Sequence, residues 1–216
     1  MQLDAILFDF DGTLCDTISL IVDSYQYMYK KHNKRFHTAE EIIAGIGLPL
    51  EEVICKEYPE EGEAMLATYL DYNYKHTHSS YGIFIGIVPM LEELKKLGIP
   101  LGIVTAKRLE NMEITLEHAD LEKYFDIMVT KFDTDKHKPD PAPLQVAQKK
   151  LGLTDPSKII YVGDAVFDVQ AANNGGFISA AVAWAQTDHA ALKAQKPDYW
   201  IEKPEDLVSL AKKALA

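Results

Sequence analysis

The chain has 216 residues, 47% hydrophobic and 25% charged, enough for one ordinary globular domain and a small second one. Its formal net charge of −11 at pH 7 argues against a general nucleic-acid binder, which needs a basic face. The two cysteines, Cys15 and Cys55, fit no zinc spacing or disulfide framework, and the longest apolar run, Ile83 to Leu91, is too short to span a bilayer. Met1 to Asp4 show no basic or apolar leader, so we expect a soluble cytoplasmic protein with no membrane or nucleic-acid partner.

The apolar run Ala5-Ile6-Leu7-Phe8 reads as a buried parallel strand. It delivers Asp9-Phe10-Asp11-Gly12-Thr13-Leu14, two carboxylates two residues apart followed by a glycine that allows a sharp turn. From about residue 15 to 80 the pattern is helical, with no convincing strand. Asp16-Thr17 can cap a helix through Ile18, Ile21, Val22, Tyr25 and Met28, and Thr38 to Glu41 has the form of a capping box. Gly45 to Pro49 reads as a loop, with Pro49 in the first turn of a helix through Val53 and Ile54, and a longer helix starts near Glu61. We expect residues 15–80 to be a helical cap domain inserted into a core formed by 1–14 and 81–216.

Beyond residue 80 strands and helices alternate, as in an α/β sheet. Helices are expected over Val88 to Leu97, Leu109 to Ala119, the stretch carrying Leu144 to Ala147, and through Val169 and Ala172. Strands are expected at Pro100 to Val104, Asp126 to Thr130, Ile159 to Val162, Ile178 to Val182 and Tyr199 to Ile201, the last at an edge. The fold class is therefore α/β, a Rossmann-like doubly wound parallel sheet with a helical insertion.

Such a sheet collects its strand ends at one edge, where ligands bind. Asp9 and Asp11, Thr105, Lys138, and Asp164 with Asp168 all belong to that edge. As turn residues the aspartates would be ordinary. As a set, they offer oxygen-only ligands suited to Mg²⁺, plus a hydroxyl and an ammonium suited to a phosphoryl group.

These residues resemble the four motifs of the haloacid dehalogenase-like hydrolase superfamily. DFDGTL matches the first, the strand ending in Thr105 the second, Lys138-Pro139-Asp140-Pro141 the third, and GDAVFD, ending at Asp168, the fourth. The resemblance runs through the whole chain, and the insertion matches the family's C1-type cap. Within the family it is similar to the phosphoglycolate phosphatase and bacterial pyrophosphatase branch, on Gly102 to Lys107, Ala183-Trp184 and Pro197-Asp198-Tyr199.

What the resemblance implies is a Mg²⁺-dependent phosphatase acting on a small phosphorylated metabolite. Asp9 would be the nucleophile that becomes an aspartyl-phosphate, and Asp11 the general acid and base. Asp9, the Asp11 carbonyl and Asp164 would hold the metal. Asp168 would orient Lys138 or a metal-bound water. Thr105 and Lys138 would fix the phosphoryl group, with Gly12, Ala106 and Lys107 lining the substrate site. A monomer or homodimer is expected. Two other activities fit the fold: a phosphosugar mutase of the β-phosphoglucomutase type, against which Thr13-Leu14 leans, and a non-catalytic binding module.

The chain departs from many relatives at Ala165, where a hydroxyl or amide often follows the Gly-Asp pair. Four further readings come from the residues alone. Cys15 suits a small buried position. His76 and His78, two apart, do not share a helical face and read as solvated. The tyrosines at 25, 27, 29, 69, 72 and 74 suit packing more than a substrate cage. Lys107 and Arg108 could attract an anion or start a solvated helix, and the Gly45 to Pro49 loop could reach the active site or merely connect.

Overall fold

The computed structural model describes residues 3–77 and 82–215. Strand β1 spans Ala5–Phe8 and the two-residue β2 spans Cys15–Asp16. Four helices follow: α1 Ile18–Lys31, α2 Ala39–Ile43, α3 Leu50–Glu57 and α4 Gly62–Thr77. Strand β3, Gly82–Ile83, then returns antiparallel to β2, pairing Cys15 with Ile83. This small ladder sits where the sequence pattern showed no strand, because two residues carry no readable alternation. The expected boundary between Tyr81 and Ser80 lies outside the described residues.

The remaining chain alternates as expected. It runs α5 Ile87–Lys96, β4 Leu101–Val104, α6 Leu109–His118, β5 Ile127–Val129, α7 Ala142–Lys150 and β6 Ile159–Gly163. It continues through α8 Val166–Gly175, β7 Ile178–Val182, α9 His189–Ala194, β8 Tyr199–Ile201 and α10 Pro204–Leu215. Six strands form one sheet in the order β5-β4-β1-β6-β7-β8, with every neighbouring pair parallel. The fold class read from the sequence is the one observed, with β8 at an edge.

The strand alternation divides the core in two. Ile6 and Phe8 point to a layer holding Leu91, Leu94, Met112, Leu116 and Leu207, from α5, α6 and α10. Ala5 and Leu7 point to the opposite layer, with Leu144 and Ala147 of α7 and Ala171 and Ala172 of α8. Strand β1 lies between β4 and β6, so the chain leaves it at the crevice where the strand order reverses.

Helices α1 to α4 bury their own apolar set: Ile18, Ile21, Val22, Tyr25, Met28, Ile42, Ile54, Met65 and Tyr69. Thr38 makes the expected capping box with Glu41. Thr17 does not cap α1 with its side chain, because its hydroxyl donates to Asp11 Oδ1 at 2.7 Å. Tyr27 stacks on Tyr72, and Tyr25 meets Tyr69 edge-on. His76 bonds through Nδ1 to the Tyr72 carbonyl and stacks on the Tyr72 ring, so it is packed and not simply solvated. His78 lies outside the described residues.

The separate core makes two cooperative units the expected behaviour. Met65→Ala, at a fully buried position, should cost about 2–5 kcal/mol locally. Amide exchange should then accelerate across residues 18–77 while β6 stays protected. Uniform acceleration through the whole chain would instead mean one cooperative unit.

Candidate active site

Asp9 leaves β1 with only 4% of its surface exposed. Gly12 turns the chain at φ +79°, and a Cβ there would lie 2.3 Å from Asp164 Oδ2, so only glycine lets the β1 loop close against the end of β6. Gly163 does the same for the next carboxylate, since a Cβ would stand 2.4 Å from Asp168 Oδ2. Thr13 donates to Asp164 Oδ1 at 2.9 Å, and the Trp184 indole donates to the Thr13 carbonyl at 2.9 Å.

Lys138, 3% exposed, is the buried cation of this group. Its ammonium donates to Asp168 Oδ1 at 2.6 Å and to the Tyr161 hydroxyl at 3.0 Å, and lies 3.1 Å from Asp9 Oδ1. Burial works against its charge, but the Asp168 and Asp9 carboxylates outweigh that and hold Lys138 well above the usual lysine range. The Tyr161 hydroxyl donates in turn to the Val104 carbonyl at 2.9 Å. Asp168 Oδ2 accepts from the Ala165 amide at 2.9 Å, so both of its oxygens are engaged.

Asp9 and Asp164 are different. Burial pushes the Asp9 carboxyl up to about 7 against the pull of Lys138, with Asp168 and Asp11 adding to the rise. Burial, with Asp168 and Asp9 nearby, raises Asp164 well above the carboxylate range. Asp164 Oδ2 is buried without a hydrogen-bond partner, and Asp9 Oδ1 has only its ion pair with Lys138. One oxygen each of Asp9, Asp164 and Asp168 lies within 4.8 Å of the others. Three buried carboxylates beside one ammonium, with Asp164 Oδ2 left unpartnered, fit a hard divalent cation.

Above these groups is a pocket shared by the two halves of the chain. Asp9, Asp11, Thr105, Ala106, Lys107, Arg108 and Asn111 meet Tyr25, Tyr69, Asn73, Glu51 and the loop from Gly45 to Leu48. Thr105, 5% exposed, accepts from the Lys107 amide at 3.2 Å, leaving its own hydroxyl hydrogen to donate. Lys107 Nζ is 2.7 Å from Asp11 Oδ1, which Thr17 also approaches.

Comparisons with known proteins place the chain in one family. The model of the haloacid dehalogenase-like hydrolase family matches residues 6–182. The chain belongs to that family. It is 38% identical to a candidate pyrophosphatase PpaX of Caldanaerobacter subterraneus subsp. tengcongensis, over 98% of this chain and 96% of that one. It is 36% identical to pyrophosphatase PpaX of Bacillus velezensis, over 97% and 96% of the two chains. Among solved structures, a candidate phosphoglycolate phosphatase from Lactobacillus plantarum superposes with a TM-score of 0.86 at 25% identity, covering 97% of this chain and all of that one. This haloacid dehalogenase-like protein is thus an enzyme, a hydrolase of the phosphatase kind, as its motifs led us to expect.

Asp9, Thr105, Lys138, Asp164 and Asp168 converge on one edge of the sheet. The Asp11 side chain is not in the acidic cluster; it turns to Lys107 and Thr17. Lys107 is accordingly no solvated helix start, being only 12% exposed on its side chain and held by Asp11. The Gly45 to Pro49 loop does reach the site, and Tyr25 and Tyr69 pack and line the pocket at once. Ala165 faces Gly47 of that loop. Cys15 is fully buried, and its thiol is pushed up by burial. Sequence reasoning missed Tyr161, which reads as an ordinary strand residue, and the hydrogen bond from Trp184. Among the described residues no helix is long and apolar enough to cross a membrane.

The Asp9 carboxyl gives the metal question a pH dependence. Between an ordinary carboxylate pKa near ~4 and about 7, the metal-free native chain keeps a proton that the unfolded chain has released. That contribution to stability is whole below ~4 and lost as pH rises through 7. A cation on Asp9 needs the ionised form, so it competes with the proton. The rise in Tm on adding Mg²⁺ should therefore be larger at pH 8 than at pH 5.5, measured by calorimetry. An equal shift at both would show that Asp9 is not a ligand.

Proposed function

We propose that this enzyme is a Mg²⁺-dependent phosphatase that moves the phosphoryl group of a small phosphorylated substrate first to Asp9 and then to water. Pyrophosphate is the foremost substrate, from the near full-length identity to proteins named pyrophosphatase, and phosphoglycolate is the next. The observation that carries the reading is the buried Asp9 carboxylate ion-paired with Lys138, on the floor of a pocket that also holds Thr105.

Asp9 and Asp164, with the Asp11 carbonyl, would hold the metal, which when bound neutralises charge on the carboxylates and on the phosphoryl oxygens. Asp9 attacks phosphorus, forming one P–O bond as the bond to the leaving oxygen breaks, and Asp11 gives that oxygen a proton. Water then attacks the aspartyl-phosphate, Asp11 takes its proton, and Asp9 is restored as phosphate departs. Lys138 stays on the phosphoryl oxygens because Asp168 and Tyr161 fix its ammonium. Thr105 donates its hydroxyl to the same group. Helices α1 to α4 act as the cap that closes over the pocket and excludes bulk water.

Phosphate release should be followed with Mg²⁺ across pyrophosphate, 2-phosphoglycolate, nucleoside monophosphates and sugar phosphates. Asp9→Asn should lower release from the preferred compound by at least about 10³-fold, as loss of a nucleophile does. Equal release by both proteins would reject Asp9 as nucleophile. Transfer to a second sugar would establish the mutase activity, and silence across the panel would favour a binding module.

A further inference from the structure

The rim of the pocket holds a second charged cluster, built across the seam between the helices and the sheet. Glu51, in the first turn of α3, meets two cations of the sheet-bearing half. Arg108 donates from Nε at 2.8 Å and from Nη2 at 2.5 Å to Glu51 Oε1, and Lys131 pairs with Glu51 Oε2. All three side chains are sheltered: Arg108 is 33% exposed, Glu51 17% and Lys131 11%. The Phe132 ring lies 5.5 Å from the Arg108 guanidinium and 5.4 Å from the Lys131 ammonium. Glu52, next along α3, faces His137 at 3.3 Å and is largely exposed.

Two cations share the sheltered carboxylate of Glu51, while the exposed Glu52 beside it turns to His137. Lys107, the neighbouring cation, is matched by Asp11. Arg108 and Glu51 line the same pocket as Asp9 and Thr105. Thr105 and Arg108 are three residues apart, so their Cα atoms stand within about 11 Å of each other. Two of the five guanidinium N–H groups face Glu51, and the others remain to donate.

Resting on the phosphatase reading, we propose that Arg108 is a specificity-determining residue. With Lys131 behind it and Glu51 fixing its direction, it takes the anionic leaving half of the substrate, the part not transferred to Asp9. The substrate class is then a phosphate carrying a second anion close by, either a phosphoryl or a carboxylate group. A guanidinium suits both, because its parallel N–H groups match a pair of anionic oxygens. Compounds with a neutral leaving group have nothing to offer it.

The test is titration calorimetry of the full chain with Mg²⁺, using methylenediphosphonate and methylphosphonate, for wild type, Arg108→Gln and Arg108→Lys. Wild type should bind the diphosphonate at least about tenfold more tightly, and Arg108→Gln should reduce that ratio about tenfold, the effect of one charge-assisted contact. Arg108→Lys should restore part of it. The ratio of kcat/KM on pyrophosphate to that on p-nitrophenyl phosphate should fall in parallel. A ratio unchanged in Arg108→Gln, with both ligands weakened alike or neither weakened, would make Arg108 only a tie across the seam and overturn the proposal. If Arg108→Gln does not fold, a pyrophosphate KM unaltered in Arg108→Lys would overturn it. Wild type that hydrolyses nothing would defeat the phosphatase reading alone, since the calorimetric ratio still decides the role of Arg108.

Discussion

The interaction on which the site depends is the buried ammonium of Lys138 between Asp9 and Asp168. Three carboxylates and one ammonium in a nearly dry crevice leave negative charge that solvent does not screen, and such charge is costly unless paired. The surroundings supply partial compensation: the Tyr161 hydroxyl, the Ala165 amide and the Thr13 hydroxyl each engage one of these groups. They stop short of satisfying Asp164 Oδ2, and one ammonium does not balance three carboxylates. A site built for stability alone would have closed this gap. Leaving it open makes sense when a cation completes the charge balance.

That arrangement needs strands delivered side by side, and it needs backbone to come very near carboxylate. The parallel sheet provides the first, since β1 lies between β4 and β6 at the reversal of strand order. Gly12 and Gly163 provide the second, each backing onto an aspartate at a distance no Cβ could tolerate. Trp184, beyond β7, then fastens the β1 loop through the Thr13 carbonyl. The catalytic floor is thus assembled wholly by the sheet-bearing half and its loops.

How legible this was in the sequence follows from the range of each signal. Buried strands such as Ala5–Phe8 and Ile159–Gly163 are short apolar runs closed by turn residues, and their ends point to Asp9 and Asp164 without further help. Helix α10 also carried local signals: Pro204 at its start, Glu205 and Asp206 in the first turn, and Lys212 and Lys213 in the last. Other features had no local signal. The β2–β3 ladder is two residues per strand, Tyr161 differs from a packing tyrosine only in what its hydroxyl meets, and Glu51 finds Arg108 across 57 residues of chain. Long-range polar pairs leave no periodicity, so sequence alone placed Lys107 and Arg108 no better than between an anion site and a solvated helix.

The two charged clusters differ in origin and consequence. The floor is acidic and awaits a cation, and its parts come from strand ends of one sheet, the approach to α7 and the first turn of α8. The rim gathers Arg108 and Lys131 onto Glu51, which belongs to the helical half. Between them lie the walls of the pocket, apolar or weakly polar at Tyr25, Tyr69, Ile21 and Leu48 and amide-bearing at Asn73 and Asn111. A small compound with charge at both ends satisfies both clusters at once. On the proposed mechanism the chemistry uses the floor and Asp11, whereas Arg108 is set by helices meeting the sheet. Specificity can therefore vary with residues at the seam, among them Glu51, Arg108 and the loop through Gly47, without disturbing Lys138 and its aspartates.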